Sequence, residues 1–494
     1  MTLIYSLRFI SRNSISLAML QVLNTRQKCL KRMKFTWGSD WDQEPKSQRP
    51  CGEALPLFDG LLALDIHLKA SELIRSSTDM EMLVEAFFAS NANLERLHVG
   101  AGTNLEDSDL EEFDVESIPD SFAKALFAAA RARPITFPKL KEFSISNMEF
   151  SSEYTRYYHQ FIPFEKLQRL SIFSDGYDYS LVNYLDDVFP DDQLNLTHLK
   201  IDIQTDDAVP LLGPCKPLTS LHIITNLIDF ENFMTGLRKH GEALRTLAIA
   251  QSITHYVISP PTVTSIEEED FKELCRICHN LNFLGIEVSH EQVQSTHWDM
   301  DCELGQRLKA LASIRGLRLI HFRVSQMSPY GYYYMEPRKK HAQTSIEMEG
   351  FARRVFQFMD AHGACMHLRS IVVGSHYFDN EKYCGGQKCY PQHCFVKEYL
   401  SDETGVLKVA AKQVPAYRIR DMEPDCDLFE FDAKANWMVP CQVDFDSEYR
   451  QKFIKLLLRS IGYISSYRQQ HLTAHKLTSH MLQGSHLLPR GSTI

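Results

Sequence analysis

Hexads led by leucine and then alternately apolar recur along the chain and set the expected architecture. The frame is Leu-x-x-apolar-x-apolar. Its anchors are Leu30-Met33-Phe35, Leu61-Leu64-Ile66, Leu94-Leu97-Val99, Leu140-Phe143-Ile145, Leu167-Leu170-Ile172, Leu196-Leu199-Ile201, Leu218-Leu221-Ile223, Leu244-Leu247-Ile249, Leu281-Leu284-Ile286, Leu317-Ile320-Phe322 and Leu368-Ile371-Val373. Composition alone would yield roughly three such frames, so eleven mark an internal repeat. The fourth and sixth positions are two apart and share one face of a strand, while the leading Leu closes the turn entering it. Amphipathic segments lie between frames, three of them opened by a capping-box pattern: Thr78 with Glu81, Ser265 with Glu268 and Thr344 with Glu347. Strand and helix in alternation demand a parallel sheet with crossover helices. With recurring anchors, that predicts an α/β irregular leucine-rich-repeat solenoid, a horseshoe with a parallel concave sheet and convex helices.

The units are irregular, from 22 residues between Leu196 and Leu218 to 51 between Leu317 and Leu368, and the Asn or Cys usual after the strand is missing. Residues 1–29 are expected to form an N-terminal helix or degenerate cap, and 30–374 the solenoid. Alternation in CFVKEYL and VLKVAAKQV predicts a small β-rich closing module over 375–447. FIKLLLRSIGYISSY predicts a terminal helix within 448–470, and 471–494 reads as a disordered tail whose LLPRGS is close to an engineered protease-site linker.

With 494 residues, 44% of them apolar, the chain can bury a core too large for one ordinary compact domain, as several domains or one elongated array would. Twelve cysteines without a secretory leader fit a reducing compartment, cytoplasmic or nuclear. The acid-free start, with Arg8, Arg12, Arg26, Lys28, Lys31, Arg32 and Lys34, offers a mitochondrial presequence as the alternative. No apolar run approaches 18 residues, so no membrane partner is expected.

A net charge of -10 argues against nucleic acid as the partner. The second, third, fifth and seventh positions of each frame escape the core, however, and over eleven units they carry eleven Lys or Arg against five acids. Arg96, His98, Arg169, His198, Lys200, His222, Arg245, His321, Arg323 and Arg369 are the candidate partner-binding residues of this face. Such a basic strip on an acidic body steers a protein partner that is acidic or phosphorylated. A loop with Tyr330, Tyr332, Tyr333 and Tyr334 ahead of Arg338, Lys339 and Lys340 has the composition of a second contact. The acid-rich stretch 105–120 reads as a solvated excursion.

Candidate chemistry changes this picture little. Cys275-Arg-Ile-Cys278-His279 matches the c-type haem pattern, yet Phe271, Leu274 and Cys278 share one helical face, which makes the thiols core residues. Cys384, Cys389, His393 and Cys394, with Cys365 or His367, could gather around zinc, but lack paired two-residue spacing. Gly100-Ala101-Gly102 follows a strand without the last glycine of a dinucleotide fingerprint. There is no Walker loop, nucleophile elbow or His-Glu-x-x-His helix, so no enzyme, cofactor or metal is expected.

Irregular helix-strand leucine-rich units, followed by PQHCFVKEYLSDE and VAAKQVPAYRIRDMEPDCDLFEFDAKANWM, resemble the fungal F-box/leucine-rich-repeat proteins over residues 30–440. The resemblance implies the substrate-recognition subunit of an SCF-type ubiquitin ligase, in which an N-terminal F-box holds the adaptor and the solenoid holds the substrate. No Leu-Pro-x-Glu start stands in residues 1–29. Adaptor binding therefore requires an F-box upstream. The alternative is a stand-alone leucine-rich-repeat regulator; a zinc-dependent protein is a third possibility.

Overall fold

The computed structural model describes residues 6–8, 30–37, 60–69, 93–102, 137–146, 158–174, 180–203, 209–225, 230–251, 266–295, 302–324, 337–362, 367–374, 393–401 and 403–428. All lie in the first of two compact units, Met1–Asn436. Among them is one open, mostly parallel α/β sheet of fourteen strands, with order β1 to β14 following the sequence. The strands are β1 (Ser6–Arg8), β2 (Arg32–Trp37), β3 (Ala63–Lys69), β4 (Arg96–Gly102), β5 (Glu142–Ser146), β6 (Arg169–Ser174), β7 (His198–Ile203), β8 (Ser220–Thr225), β9 (Thr246–Gln251), β10 (Phe283–Val288), β11 (Leu319–Val324), β12 (Ser370–Gly374), β13 (His393–Ser401) and β14 (Leu407–Val414). Each of the eleven frames is a strand, β2 through β12.

Register follows the frame. The fourth positions align across the sheet, Met33 opposite Leu64, Leu64 opposite Leu97 and onward to Ile320 opposite Ile371. All eleven leading leucines are at most 4% exposed. The turn closed by each leucine is tied to its neighbour by one carbonyl that accepts two successive N–H groups. Lys141 O takes Gln168 N–H at 2.8 Å and Arg169 N–H at 3.0 Å, and Thr197 O takes those of Thr219 and Ser220 at 2.8 and 3.0 Å. The arrangement recurs from Lys31 to Arg318 and uses both lone pairs of each carbonyl. It repeats at every unit because the leading Leu fixes where the turn ends.

Helices cover the face that carries the fourth and sixth positions. They are α1 (Ser180–Val188), α2 (Phe230–His240), α3 (Glu268–Ile277), α4 (His290–Gln294), α5 (Glu303–Leu311) and the 25-residue α6 (Pro337–Ala361); α7 (Ala416–Met422) follows β14. Leu185, Phe233, Leu237, Phe271, Leu274, Leu308, Phe351 and Val355 join the strand leucines in one core. Cys275 and Cys278 belong to it, and burial pushes the Cys278 thiol up to about 12, the behaviour of a core residue.

His240 closes α2 and staples two successive units. Its Nδ1 accepts the Leu218 N–H at 3.2 Å, and its Nε2 faces the Leu212 carbonyl at 3.1 Å, which leaves the proton on Nε2.

Several expectations are corrected. Residues 6–8 are a strand rather than part of a helix, with Leu7 opposite Met33. α3 starts at Glu268 after Glu267, which makes no side-chain cap bond, so Ser265 is not its N-cap. α6 begins seven residues before Thr344, on Pro337, a residue suited to a first turn because its missing N–H would have no helical partner anyway. The β-rich residues after 375 continue the sheet: β13 pairs antiparallel with β12 and β14, and α6 covers the hairpin, with Lys397 Nζ 2.8 Å from Asp360 Oδ1. The expected helix in 448–470 and the tail 471–494 lie outside the described residues, as do Thr78 and Glu81.

The junction after α2 has no room for a side chain at Gly241. A Cβ there would stand 2.3 Å from Ile277 Cγ2 and 2.7 Å from the Ile277 carbonyl oxygen. Gly241→Ala is expected to cost about 1–3 kcal/mol, because backbone cannot retreat as a side chain can. Gly350→Ala in α6, where the nearest atom is Arg354 Nη1 at 3.3 Å and a shift of a few tenths of an ångström suffices, should be neutral or stabilising by about 0.5–1 kcal/mol. Urea midpoints of both variants check the contrast; equal midpoints would refute it.

Candidate recognition face

The second sheet face carries the third, fifth and seventh positions, and the register stacks them in rows. The third-position row runs Arg96, Glu142, Arg169, His198, Ser220, Thr246. The fifth-position row runs His98, Ser144, Ser171, Lys200, His222, Ala248. Six of the ten predicted face residues, Arg96, His98, Arg169, His198, Lys200 and His222, thus come together on β4, β6, β7 and β8, with β5 between the first two.

At β4–β6 the face is accessible. The Glu142 carboxylate sits between two guanidiniums, paired to Arg96 and 3.7 Å from Arg169 Nε, with the arginine side chains 48% and 36% exposed. His98 Nε2 lies 3.0 Å from Ser146 Oγ, and His198 Nδ1 lies 2.8 Å from Thr197 Oγ1. Burial and then the charge of Arg169 hold His198 below its ordinary pKa. Exposed pairs of this kind are worth about 0–1 kcal/mol each, so a better-placed carboxylate or phosphate can exchange with Glu142 at little cost.

At β7–β12 the same face is covered by the segment after β14. Ile419 of α7, Cys426 and Leu428 pack with Ala248, Phe283, Leu319 and Val372 in a second apolar cluster. Asp427 projects into the polar part of the rows. Its Oδ2 accepts from Ser220 Oγ at 2.6 Å, its Oδ1 accepts from His222 Nε2 at 3.3 Å, and its carbonyl accepts from Lys200 Nζ at 3.0 Å. Burial opposes charge on this carboxyl, but the surrounding cation and donors outweigh it and hold Asp427 well below the usual carboxylate range. Four residues earlier, the buried Glu423 Oε2 lies 3.0 Å from Arg318 Nη1, whose guanidinium stacks 5.1 Å over the Phe283 ring. His222 is wholly buried under the segment, and desolvation lowers its pKa despite Asp427.

Lys200, His222, His321 and Arg323 are all buried, so an outside partner cannot reach them while the segment is seated. Arg323 lies against Gly285, where a Cβ would meet its Nε at 3.4 Å and the Ala248 Cβ, more tightly, at 3.1 Å. Arg245 belongs to the second frame position and turns away from the face: its Nη1 donates to the carbonyls of Glu242, Ala243 and Leu244 at 3.0–3.1 Å. It secures the turn after α2 and is exposed there. Arg369 occupies the same position ahead of β12 and is exposed at the turn. Sequence patterning counted Arg318 among the basic escaping positions without singling out it or Ser220, and missed Glu423 and Asp427. The signal for the last two was Asp421, Glu423, Asp425 and Asp427, an acidic run opposite in sign to the basic face.

Arg338, Lys339 and Lys340 begin α6 instead of belonging to a loop, while Tyr330, Tyr332, Tyr333 and Tyr334 lie outside the described residues. The acid-rich stretch 105–120, Cys384 and Cys389 also lie outside them. His393 and Cys394 are neighbours on β13 and therefore point to opposite faces: Cys394 is buried in the second cluster, and His393 meets the Gln413 amide at 3.2 Å. They cannot share one ion. No group of three metal-ligating side chains forms among the described residues. No helix among them is long and apolar enough to cross a membrane.

No protein-family model matches this chain, and neither does any curated protein.

Acid should loosen the structure in a defined window. His222 and His240 are held neutral in the fold with pKa values near 4, so their unfolded counterparts take up protons first as pH falls below 6.5. The stability they contribute is complete above 6.5 and is lost progressively towards 4, by roughly 1–2 kcal/mol per histidine. Asp427, also depressed, adds its loss only below the ordinary carboxylate range. Urea midpoints should fall between pH 7 and pH 5, and less steeply in His240→Gln; equal midpoints at the two pH values would refute the assignment.

Proposed function

We propose that this chain is a protein-recognition scaffold: a leucine-rich-repeat solenoid whose second sheet face, concave in a horseshoe, takes an acidic or phosphorylated partner. One observation carries this reading. The face already holds an acidic segment, with Lys200, Ser220 and His222 around Asp427, so its rows have the shape and charge to bind an extended chain bearing carboxylates. The uncovered continuation, Arg96, His98, Arg169 and His198, has the same chemistry and is where a partner would land. The roles given to the residues are those of binding, not turnover.

By its resemblance to fungal F-box/leucine-rich-repeat proteins, the scaffold is the substrate arm of an SCF-type ubiquitin ligase in the cytoplasm or nucleus, with the adaptor held through an F-box. The second reading is a stand-alone regulator on the same face. A tagged pull-down from native cells separates them: stoichiometric adaptor and cullin support the ligase arm, and their absence with other partners retained supports the regulator. In both cases the double variant Arg96→Glu/Arg169→Glu is expected to lose at least about tenfold of the captured partner while far-UV dichroism is unchanged. Undiminished capture by this variant would sink the recognition reading.

A further inference from the structure

The segment that covers β7–β12 binds as a ligand binds. It reaches the face from more than two hundred residues away in sequence, with Lys200 and Asp427 separated by 227. Its contacts alternate between carboxylates and apolar side chains: Glu423 on Arg318, Cys426 in the second cluster, Asp427 on Ser220, His222 and Lys200, and Leu428 again in the cluster. By contrast, the core under the helices does not include Ile419, Cys426 or Leu428, so the sheet and helices pack without them.

We propose that residues 416–428 are a displaceable occupant of the recognition face, and that the partner is a peptide segment of the same pattern, two carboxylates four residues apart with apolar side chains beside the second. This rests on the recognition reading above and extends it: the partner would enter at Arg96 and Arg169 and, by displacing the strap, gain Lys200, His222 and Arg318. The chain's own segment then sets a threshold. A ligand meets a face that is competent only in the fraction of molecules whose strap is open, and its apparent affinity falls by that fraction. Phosphate can stand in for either carboxylate, because Arg318 and Lys200 supply the charge in each position.

Two measurements on the full chain test this. Hydrogen exchange of the wild type is expected to show amides of 416–428 exchanging at least about a hundredfold faster than those of β8 and β9, because the strap opens without the sheet. Equal rates would mean that the strap opens only with global unfolding, and the proposal falls. Second, a fluorescein-labelled peptide of residues 415–428 is titrated into wild type and into the double variant Glu423→Lys/Asp427→Lys, whose own strap is repelled. The variant should bind it at least roughly tenfold more tightly than wild type, and a further Lys200→Glu should remove that gain. A folded double variant that binds no better than wild type overturns the proposal; if the variant fails to fold, the wild-type exchange rates decide. Capture of cellular partners through Arg96 and Arg169 is unaffected by any of these outcomes, so the strap can fail while the recognition reading stands.

Discussion

A single carbonyl at the entrance of each strand accepts two N–H groups from the next unit, and the second sheet face is built on that bond pair. Parallel strands with identical apolar alternation can slip by two residues and still bury the same face, so hydrophobic patterning alone leaves the register open. The shared carbonyl, as at Lys141 and Thr197, removes the freedom because it must face the residue just after the leading leucine of the neighbour. Once the turn is fixed, Met33, Leu64 and Leu97 are opposite one another by necessity, and so are Arg96, Glu142 and Arg169. The rows on the second face are a consequence of the turns, not of any attraction between their own side chains.

Aligned rows decide the electrostatics. A count of charges on escaping positions gives a strongly basic strip, but register places acids directly beside bases: Lys34 is 2.5 Å from Asp65, and Glu142 stands between Arg96 and Arg169. The positive charge is thus partly answered within the sheet, and near Lys200 the strap brings the carbonyl and carboxylate of Asp427. Exposure then grades these pairs. At 48% and 36% exposed, the arginines lose little when their partner changes, whereas Asp427 is desolvated and would leave a buried Lys200 uncompensated if it were simply deleted. The two ends of one face therefore differ in kind: one is exposed to solvent, and the other is covered, with a carboxylate already seated on it.

The repeat and the strands were legible because they are local: six residues suffice to identify a frame, and each frame became a strand. β1 escaped detection because Ile4-Tyr5-Ser6-Leu7-Arg8-Phe9 has isoleucine where the frame demands leucine. The six face residues on β4–β8 were legible through alternation, which assigns third and fifth positions to one face without error. Arg245 stands beside the face rather than on its rows, because the second position belongs to the turn, where a long cation meets backbone carbonyls. The strap was invisible to any window-based reading: Asp427 and Lys200 carry no shared local pattern, and only three-dimensional charge complementarity joins them. For the same reason the zinc cluster dissolves at His393 and Cys394, whose adjacency in sequence is what separates them across a strand.

Irregular unit lengths acquire a physical meaning in this light. Among the described residues, the 22-residue step from Leu196 to Leu218 carries a short 3₁₀ turn, Val209–Leu212; the 26-residue step from Leu218 to Leu244 carries α2; the 36-residue step from Leu281 to Leu317 carries α4 and α5; and the 51-residue step from Leu317 carries the long α6. Register is indifferent to this variation, since the shared carbonyl and leading leucine reset it at each unit. The helix face can therefore gain or lose turns without moving any residue of the rows. Conversely, a substitution on the rows alters what is bound without disturbing helix packing, because no leucine of the core is shared between the faces. That separation leaves one side of the sheet to hold the molecule together and the other free to change its chemistry, as the proposed recognition role would require.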